Sequence, residues 1–265
     1  MITPFTHPRS CEFAHEIDLT VNGISIEVLR TDAADFANLI FDPADGPAKV
    51  SVVYTDGRQV AEAVIRPANR NLTADLVPTG FSFQLADPDK LSLEVPGRRP
   101  LFFWANPPET DRPDPDDPDV LWLKAGQIVE AAEFELKSNQ TLYLEGGAVL
   151  RGALRASEAE NITVCGHGIL DGSYYRRDQG EFEHLARFHR CRNVTVRDIT
   201  MIHPSGWMLV PAACEEVTIE NLKQIGEVVS SDGIDVVGCR NVTIRDCFLN
   251  NNDDCVSIKA FVVGP

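Results

Sequence analysis

The sequence predicts an all-β protein in which an N-terminal β-sandwich is followed by a right-handed parallel β-helix. Two observations lead to this prediction. Residues 16–106 alternate apolar and polar side chains in short bursts between Gly, Pro, Asp and Asn turn residues. Residues 121–265 instead repeat short β-branched strands with no helical pattern between them.

The composition sets limits on partners. The 265 residues are 43% hydrophobic, which is enough to fill a core, and the formal net charge is -16. Such a charge argues against nucleic acid or an anionic membrane as the main partner, because binders of phosphate normally present a basic surface. The sequence gives no indication of oligomeric state.

The N-terminal residues and the cysteines bear on the compartment. No apolar run of 18 or more residues is present, and the start lacks a basic segment followed by an apolar one. An odd number of cysteines, seven, favours reduced thiols over a disulfide framework. We therefore expect a cytoplasmic protein, or a secreted or periplasmic one if a signal peptide was removed.

Residues 1–106 are predicted to form the sandwich domain. No stretch within them gathers the His, Asp and Glu clusters that catalysis needs, so a supporting role is expected. Residues 107–120, PPETDRPDPDDPDV, contain five prolines and six acids against one arginine. That composition is typical of a stiff, extended linker, and the domain boundary is predicted there.

The repeat within residues 121–265 has a period in the twenties. Four segments align on threonines separated by 32, 23 and 25 residues: Thr163, Thr195, Thr218 and Thr243. In a solenoid each turn lies about 4.8 Å above the last, so residues one period apart stack directly. Three cysteines share one phase and are expected to form a buried ladder, not a metal site: Cys191, Cys214 and Cys239.

The same stacking predicts a cluster of carboxylates. Asp232 precedes Asp253 by 21 residues, one period, so it should lie beside Asp253 and Asp254 on the next turn. Like charges that converge repel one another, which indicates a site more than a stabilising feature. One acid could protonate a glycosidic oxygen while two ionised acids activate water. Turn capping with asparagine ladders, and a calcium site, are alternatives that spacing alone leaves open.

The residues around these aspartates resemble a motif of a known protein family. The segment SSDGIDVVGCRNVTIRDCFLNNNDDCVSIKA, residues 230–260, resembles the central motif of the polygalacturonases, family 28 of the glycoside hydrolases. In that family an Asn-Thr-Asp-Gly-Ile-Asp segment is followed one turn later by Gly-Asp-Asp-Cys-x-x-Ile-Lys. The likeness covers about residues 121–265, whereas a sandwich before the β-helix is closer in layout to the related dextranase and isopullulanase family 49.

The resemblance implies roles for the three acids. Asp253 would be the general acid, and Asp232 with Asp254 would activate the water, with inversion at the anomeric carbon and without metal or cofactor. Ser230, Ser231 and Asn252 depart from the family's Asn, Thr and Gly. The family's later Gly-His-Gly and Arg-Ile-Lys segments have no counterpart before residue 265, so the chain is expected to be a C-terminally truncated fragment of a longer protein with an exposed apolar turn.

Further residues are candidates for substrate binding: Lys259, Asp235 and His203. Lys259 could neutralise the acids or only occupy a strand face, and His203 could line a groove or pack a turn together with Trp207. The function expected is hydrolysis of a glycosidic bond in a polysaccharide or oligosaccharide, with galacturonan and neutral glycans both open. The alternatives are a calcium-dependent, pectate-lyase-like enzyme and a non-catalytic carbohydrate-binding or structural β-helix.

Overall fold

A computed structural model describes residues 1–260 of the protein. The chain divides into two compact units, Met1–Asp111 and Arg112–Pro265. Across residues 1–260 no helix has the length and apolar character that crossing a bilayer requires. Within the described residues, four short 3₁₀ helices lie between strands: Pro43–Asp45, Ala68–Arg70, Gly172–Tyr174 and Arg177–Gln179.

The first unit is built of eleven strands. They are β1 (Ile2–Pro4), β2 (Ile17–Val21), β3 (Ile24–Ile26), β4 (Leu29–Arg30), β5 (Asp35–Phe41), β6 (Ala48–Tyr54), β7 (Val64–Arg66), β8 (Asp75–Val77), β9 (Gly80–Leu85), β10 (Asp89–Glu94) and β11 (Leu101–Asn106).

These strands form two sheets that share one apolar core. One sheet has the order β1-β5-β11-β10-β7 with β4 beside β5, and the other has the order β3-β2-β6-β9-β8. Inward-facing side chains of both sheets, such as Leu39 and Phe103 from one and Val52 and Phe83 from the other, belong to the same buried cluster. The predicted sandwich is therefore present. Its neighbouring strands run antiparallel except for β5 and β11, which run parallel.

The second unit contains sixteen strands within the described residues. They are β12 (Val120–Leu123), β13 (Ile128–Glu135), β14 (Thr141–Leu144), β15 (Val149–Ser157), β16 (Glu160–Cys165), β17 (Ile169–Asp171), β18 (Ala186–His189), β19 (Arg192–Arg197), β20 (Thr200–Ile202), β21 (Leu209–Ala212), β22 (Glu215–Glu220), β23 (Lys223–Ile225), β24 (Ile234–Val237), β25 (Arg240–Arg245), β26 (Phe248–Asn250) and β27 (Val256–Lys259).

These strands stack as a parallel β-helix. One sheet has the order β12-β14-β16-β19-β22-β25, and a ten-stranded sheet has the order β26-β23-β20-β17-β15-β18-β21-β24-β27 with β13 beside β15. The four repeat threonines are direct register partners, and Thr141 extends their column by one more turn. The predicted repeat is thus confirmed residue for residue.

Polar ladders mark the corners of the turns. The amide of Asn193 donates to Asn161 and that of Asn161 to Asn139, each over 2.8 Å, and all three residues adopt a positive φ. Asparagine tolerates this left-handed conformation better than most residues, which explains its place two residues before the threonine of each of these turns.

The three cysteines form the predicted ladder. The backbone N–H of Cys191 donates to the sulfur of Cys214, and that of Cys214 to the sulfur of Cys239, each over 3.3 Å. All seven cysteines are free thiols. The ladder therefore satisfies backbone donors at one corner of successive turns.

Truncating a side chain at the centre of the β-helix core should lower the free energy of unfolding substantially. Phe188 on β18 is 1% exposed and packs among aliphatic side chains of several turns. Phe188→Ala should lower the free energy of unfolding by about 3–5 kcal/mol, since it removes buried area and leaves a cavity. Urea unfolding followed by circular dichroism measures this. The exposed control Arg192→Ala should stay within about 0.5 kcal/mol; an equal loss in both variants would contradict the packing.

Candidate active site

The carboxylates lie where two neighbouring strands begin. Ile234 at the start of β24 pairs with Val256 at the start of β27. The N–H of Gly233 donates to the carbonyl of Asp254 over 2.8 Å, so Asp232 and Asp254 occupy equivalent places on consecutive turns. One carboxylate oxygen from each of Asp232, Asp253 and Asp254 lies within 4.8 Å of the others. The structure thus brings together the three acids that the repeat predicted.

The acids differ in exposure. Asp232 is 6% exposed, whereas Asp253 and Asp254 are open to solvent. Three converging carboxylate oxygens are also the donor set that a hard cation such as Ca²⁺ prefers. The arrangement can therefore transfer protons and orient water, or it can hold such an ion.

Ser231 and Asn252, two residues that depart from the family pattern, connect the turn before β24 to the turn before β27. The hydroxyl of Ser231 donates to the carbonyl of Val228 over 2.7 Å and accepts from the N–H of Asn252 over 3.3 Å. The amide of Asn252 in turn donates to the carbonyl of Glu227 over 3.2 Å. These bonds tie the turn before β27 to the turn before β24, and so fix the separation of the acids.

Gly233 is required by the close packing beneath Asp232. A Cβ at this position would lie 2.5 Å from the carbonyl oxygen of Cys255, 2.6 Å from the amide oxygen of Gln224 and 2.7 Å from that of Asn251. Any larger residue would push the backbone of Asp232 outward. The Asp-Gly pair is therefore a steric requirement of the site.

Lys259 joins two of the aspartates. Its ammonium donates to Asp232 over 2.9 Å and also pairs with Asp235, which lies in register with Ser257 on the next turn. Asp235 is 0% exposed, and its second oxygen has no partner among residues 1–260. Lys259 thus covers the carboxylate of Asp235. A residue that binds sugar directly would be accessible to the substrate, whereas Asp235 is buried.

Burial also changes the acidity of Asp235. Its removal from water raises the pKa of Asp235 to about 6, and the neighbouring charge of Asp232 adds to the rise, against the opposing hydrogen bond from Lys259. For Lys259, burial lowers the pKa, but the two carboxylates outweigh burial and raise it above the usual value. The lysine therefore stays protonated beside both acids.

An aromatic pair precedes the acids on the two earlier turns. The rings of His184 and Trp207 stack 5.0 Å apart at an interplanar angle of 3°. The Lys259 ammonium lies 3.9 Å from the centroid of the Trp207 ring. Burial, with help from Arg187 and other cations, lowers the pKa of His184 to about 4, so its ring is neutral at neutral pH. Sequence reasoning missed His184, and for Trp207 it left open whether the side chain lines a groove or packs a turn.

His203 belongs to a different ladder of the β-helix. It follows β20, and its Nδ1 lies 3.0 Å from the carboxylate of Asp171. Burial alone would raise the pKa of Asp171, but His203, Ser173 and Arg151 together lower it to about 2. His203 thus pairs with Asp171, which lies one turn earlier in the β-helix.

The sequence matches the profile of Glycosyl hydrolases family 28 over residues 123–263, just over half of the chain. The chain belongs to glycosyl hydrolase family 28. The matched range contains all three clustered aspartates as well as Lys259, so the site lies inside the family region and the sandwich lies outside it.

Among curated relatives of this family 28 member, a polygalacturonase of Chamaecyparis obtusa is 32% identical over 121 residues, covering 40% of this chain and 24% of that protein. A protein of Arabidopsis thaliana named as a probable polygalacturonase is 29% identical over 109 residues, covering 39% of this chain and 24% of that one. The chain thus spans about a quarter of the length of these relatives.

A solved structure resembles the fold of both units. Dex49A from Penicillium minioluteum superposes with a TM-score of 0.74 at 15% identity, covering 96% of this chain and 65% of that one. This confirms the predicted likeness of layout, a sandwich followed by a β-helix.

The acidity of Asp235 predicts a pH-dependent stability. Because an unfolded aspartate titrates near about 3.9, the folded state holds this proton more tightly, and the stabilisation is present below about pH 4 and lost as pH rises through 6. Between pH 4 and 7 the wild type should lose about 2 kcal/mol relative to Asp235→Asn, which keeps a neutral side chain.

Urea unfolding of both proteins across this pH range measures the difference. The exposed control Asp246→Asn should track the wild type. A difference between wild type and Asp235→Asn that does not change with pH would contradict the raised pKa.

Proposed function

We propose that the protein hydrolyses a glycosidic bond in a polysaccharide or oligosaccharide, as the family name implies. The observation that carries the proposal is the convergence of three carboxylates at the entrances of β24 and β27, inside the family 28 region. Converging acids cost free energy of folding, and glycosidic hydrolysis is the chemistry that uses them.

The roles follow the family resemblance. Asp253, exposed at the cluster's edge, protonates the leaving oxygen. Asp232 and Asp254, stacked on consecutive turns, hold the attacking water between them and take its proton. Lys259 donates a hydrogen bond to the carboxylate of Asp232 and so orients it beside Asp254.

Inversion at the anomeric carbon is the stereochemistry that the resemblance favours. Inverting enzymes usually separate their acid and base by roughly 6.5–9.5 Å, so that a water fits between acid and sugar. The nearest oxygens here are within 4.8 Å. The spacing thus gives inversion no support of its own, and the proposal of inversion rests on family membership.

The net charge of -16 bears on which glycan can bind. Long-range repulsion would oppose the binding of an anionic polyuronate, and Lys259 is already paired with aspartates. Neutral and acidic glycans are therefore both to be tested.

A calcium-dependent lyase is the second candidate, favoured by the three converging oxygens. It predicts unsaturated products that absorb in the ultraviolet and inhibition by chelators, whereas the hydrolase predicts neither.

The first test is reducing-end release from pectic, α-glucan and galactan substrates by the protein and by Asp253→Asn. Loss of the general acid should lower turnover by about 10²–10⁴-fold. The control Asp246→Asn makes the same charge change on an exposed turn and should keep full activity. Unchanged turnover in Asp253→Asn would refute the assignment of the acid, and chelator-sensitive unsaturated products would favour the lyase.

The second test is the configuration of the first product. Proton NMR of a reaction under way should show release of the anomer opposite to the substrate linkage, before mutarotation equilibrates the two forms. Release of the anomer with the same configuration as the substrate would contradict inversion. It would indicate a double displacement through a covalent intermediate, a mechanism that uses closely spaced carboxylates.

A further inference from the structure

A polar side chain interrupts an apolar column inside the β-helix, next to the turn that carries Asp232. Leu170 and Met201 occupy one inward position on consecutive turns, and Gln224 is the next residue in that column. The first two belong to the buried apolar core, and Gln224 is 0% exposed. Since burying an amide is favourable only when its polar atoms find partners, the contacts of Gln224 should show why it is there.

The amide of Gln224 contacts the backbone of Gly233, the residue after Asp232. Its Nε2 donates to the carbonyl of Gly233 over 3.0 Å. Its Oε1 lies close to the α-carbon, because a Cβ on Gly233 would be 2.6 Å from this oxygen. The Oε1 is buried and accepts no hydrogen bond from residues 1–260. A C–H···O contact with a glycine α-carbon is weak, so this oxygen gains little free energy from its position.

Asn251, on the turn before β27, contacts the same glycine from a different turn. A Cβ on Gly233 would lie 2.7 Å from its Oδ1, and a Cβ on Gly226 would lie 3.0 Å from its Nδ2. The Nδ2 also donates to the sulfur of Met208 over 3.0 Å. The Oδ1 is buried and has no hydrogen-bond donor within residues 1–260. Two glycines thus leave the space that the amide of Asn251 fills.

Folding stability alone does not explain these two amides. A buried polar atom without a hydrogen-bond partner costs free energy, and an apolar group of the same shape can be neutral or stabilising in its place. Methionine, which the preceding turn already uses as Met201, would fill the position of Gln224 without a buried oxygen. The amides differ from such a side chain in one respect, since they contact the polar backbone of Gly233.

We propose that Gln224 and Asn251 are positioning residues that hold the backbone of Gly233 from inside the β-helix and so keep the carboxylate of Asp232 within the acid cluster. The proposal rests on the proposed hydrolysis for its kinetic consequence, because Asp232 is there one of the groups that activates water. Its structural content, the immobilisation of Gly233, does not depend on turnover.

The expected kinetic effect follows from the precision that a reacting group requires. A misplacement of about 1 Å can lower a rate about 10²-fold, so a small movement of the backbone beside Asp232 should be measurable. The two amides are buried and contact the protein backbone, not the glycan. Their loss should therefore lower kcat and leave KM nearly unchanged.

The direct test is hydrogen–deuterium exchange, followed by mass spectrometry, of the peptide that contains residues 230–236. Gln224→Met nearly keeps the volume and removes the amide, and Asn251→Leu does the same on the other turn. Each variant should raise the exchange rate in this peptide about tenfold. The melting temperature should equal or exceed that of the wild type, since a buried oxygen without a partner is removed. The matched control Leu170→Met changes an apolar residue of the same column and should alter neither quantity.

The kinetic test uses the pectic, α-glucan or galactan substrate from which the wild type releases most reducing ends. Gln224→Met and Asn251→Leu should each lower kcat about tenfold with KM nearly unchanged. Because both amides hold one glycine, the double variant should lose about as much as either single variant, and not the product of the two losses. Leu170→Met should retain full activity.

The outcomes separate this proposal from the proposed hydrolysis. Faster exchange confined to residues 230–236, at an equal or higher melting temperature, supports the positioning role even if no glycan is hydrolysed. Unchanged exchange in that peptide would overturn it. Faster exchange throughout the β-helix together with a lower melting temperature would also overturn it, because that is the result expected of a general core defect. A rise in KM with kcat preserved would likewise contradict it, since the amides would then act on sugar binding.

Discussion

Backbone hydrogen bonding between consecutive turns is the constraint on which the rest of the structure depends. Each strand of the β-helix repeats its neighbour's register, so a side chain's position is determined by the residue one turn away. The aspartates meet because the bond from Gly233 to Asp254 aligns their two turns. The same register stacks His184 on Trp207.

Much of this arrangement was predictable from the sequence because a threonine recurs at the same strand position in successive turns. The threonines recur at one strand position with β-branched neighbours. They show a period in the twenties, and the 21 residues between Asp232 and Asp253 correspond to about one such period. The sandwich was predictable from alternation of apolar and polar residues. The parallel pairing of β5 with β11 was not, because these strands are distant in sequence and local alternation carries no information about partner or direction.

The neighbours of the acids were less predictable for a related reason. The strand that follows His184 carries no threonine marker and comes after a long insertion, so its register with Trp207 could not be counted. For Asp235, alternation indicates the outer face, where exposure is the usual outcome. Its burial depends on a lysine 24 residues later that extends back over it. Burial of this kind arises from side-chain conformations, about which spacing says nothing.

The insertion before β18 has a consequence for how such a protein can change. The step from Thr163 to Thr195 is longer than the next two steps, yet the threonines remain in register and the acids further along are not displaced. Turn length and strand register are therefore separable. Successive insertions and deletions in the connecting segments could reshape the surroundings of the clustered acids during evolution while the acids keep their geometry, so the side chains around one conserved cluster can diverge among homologues.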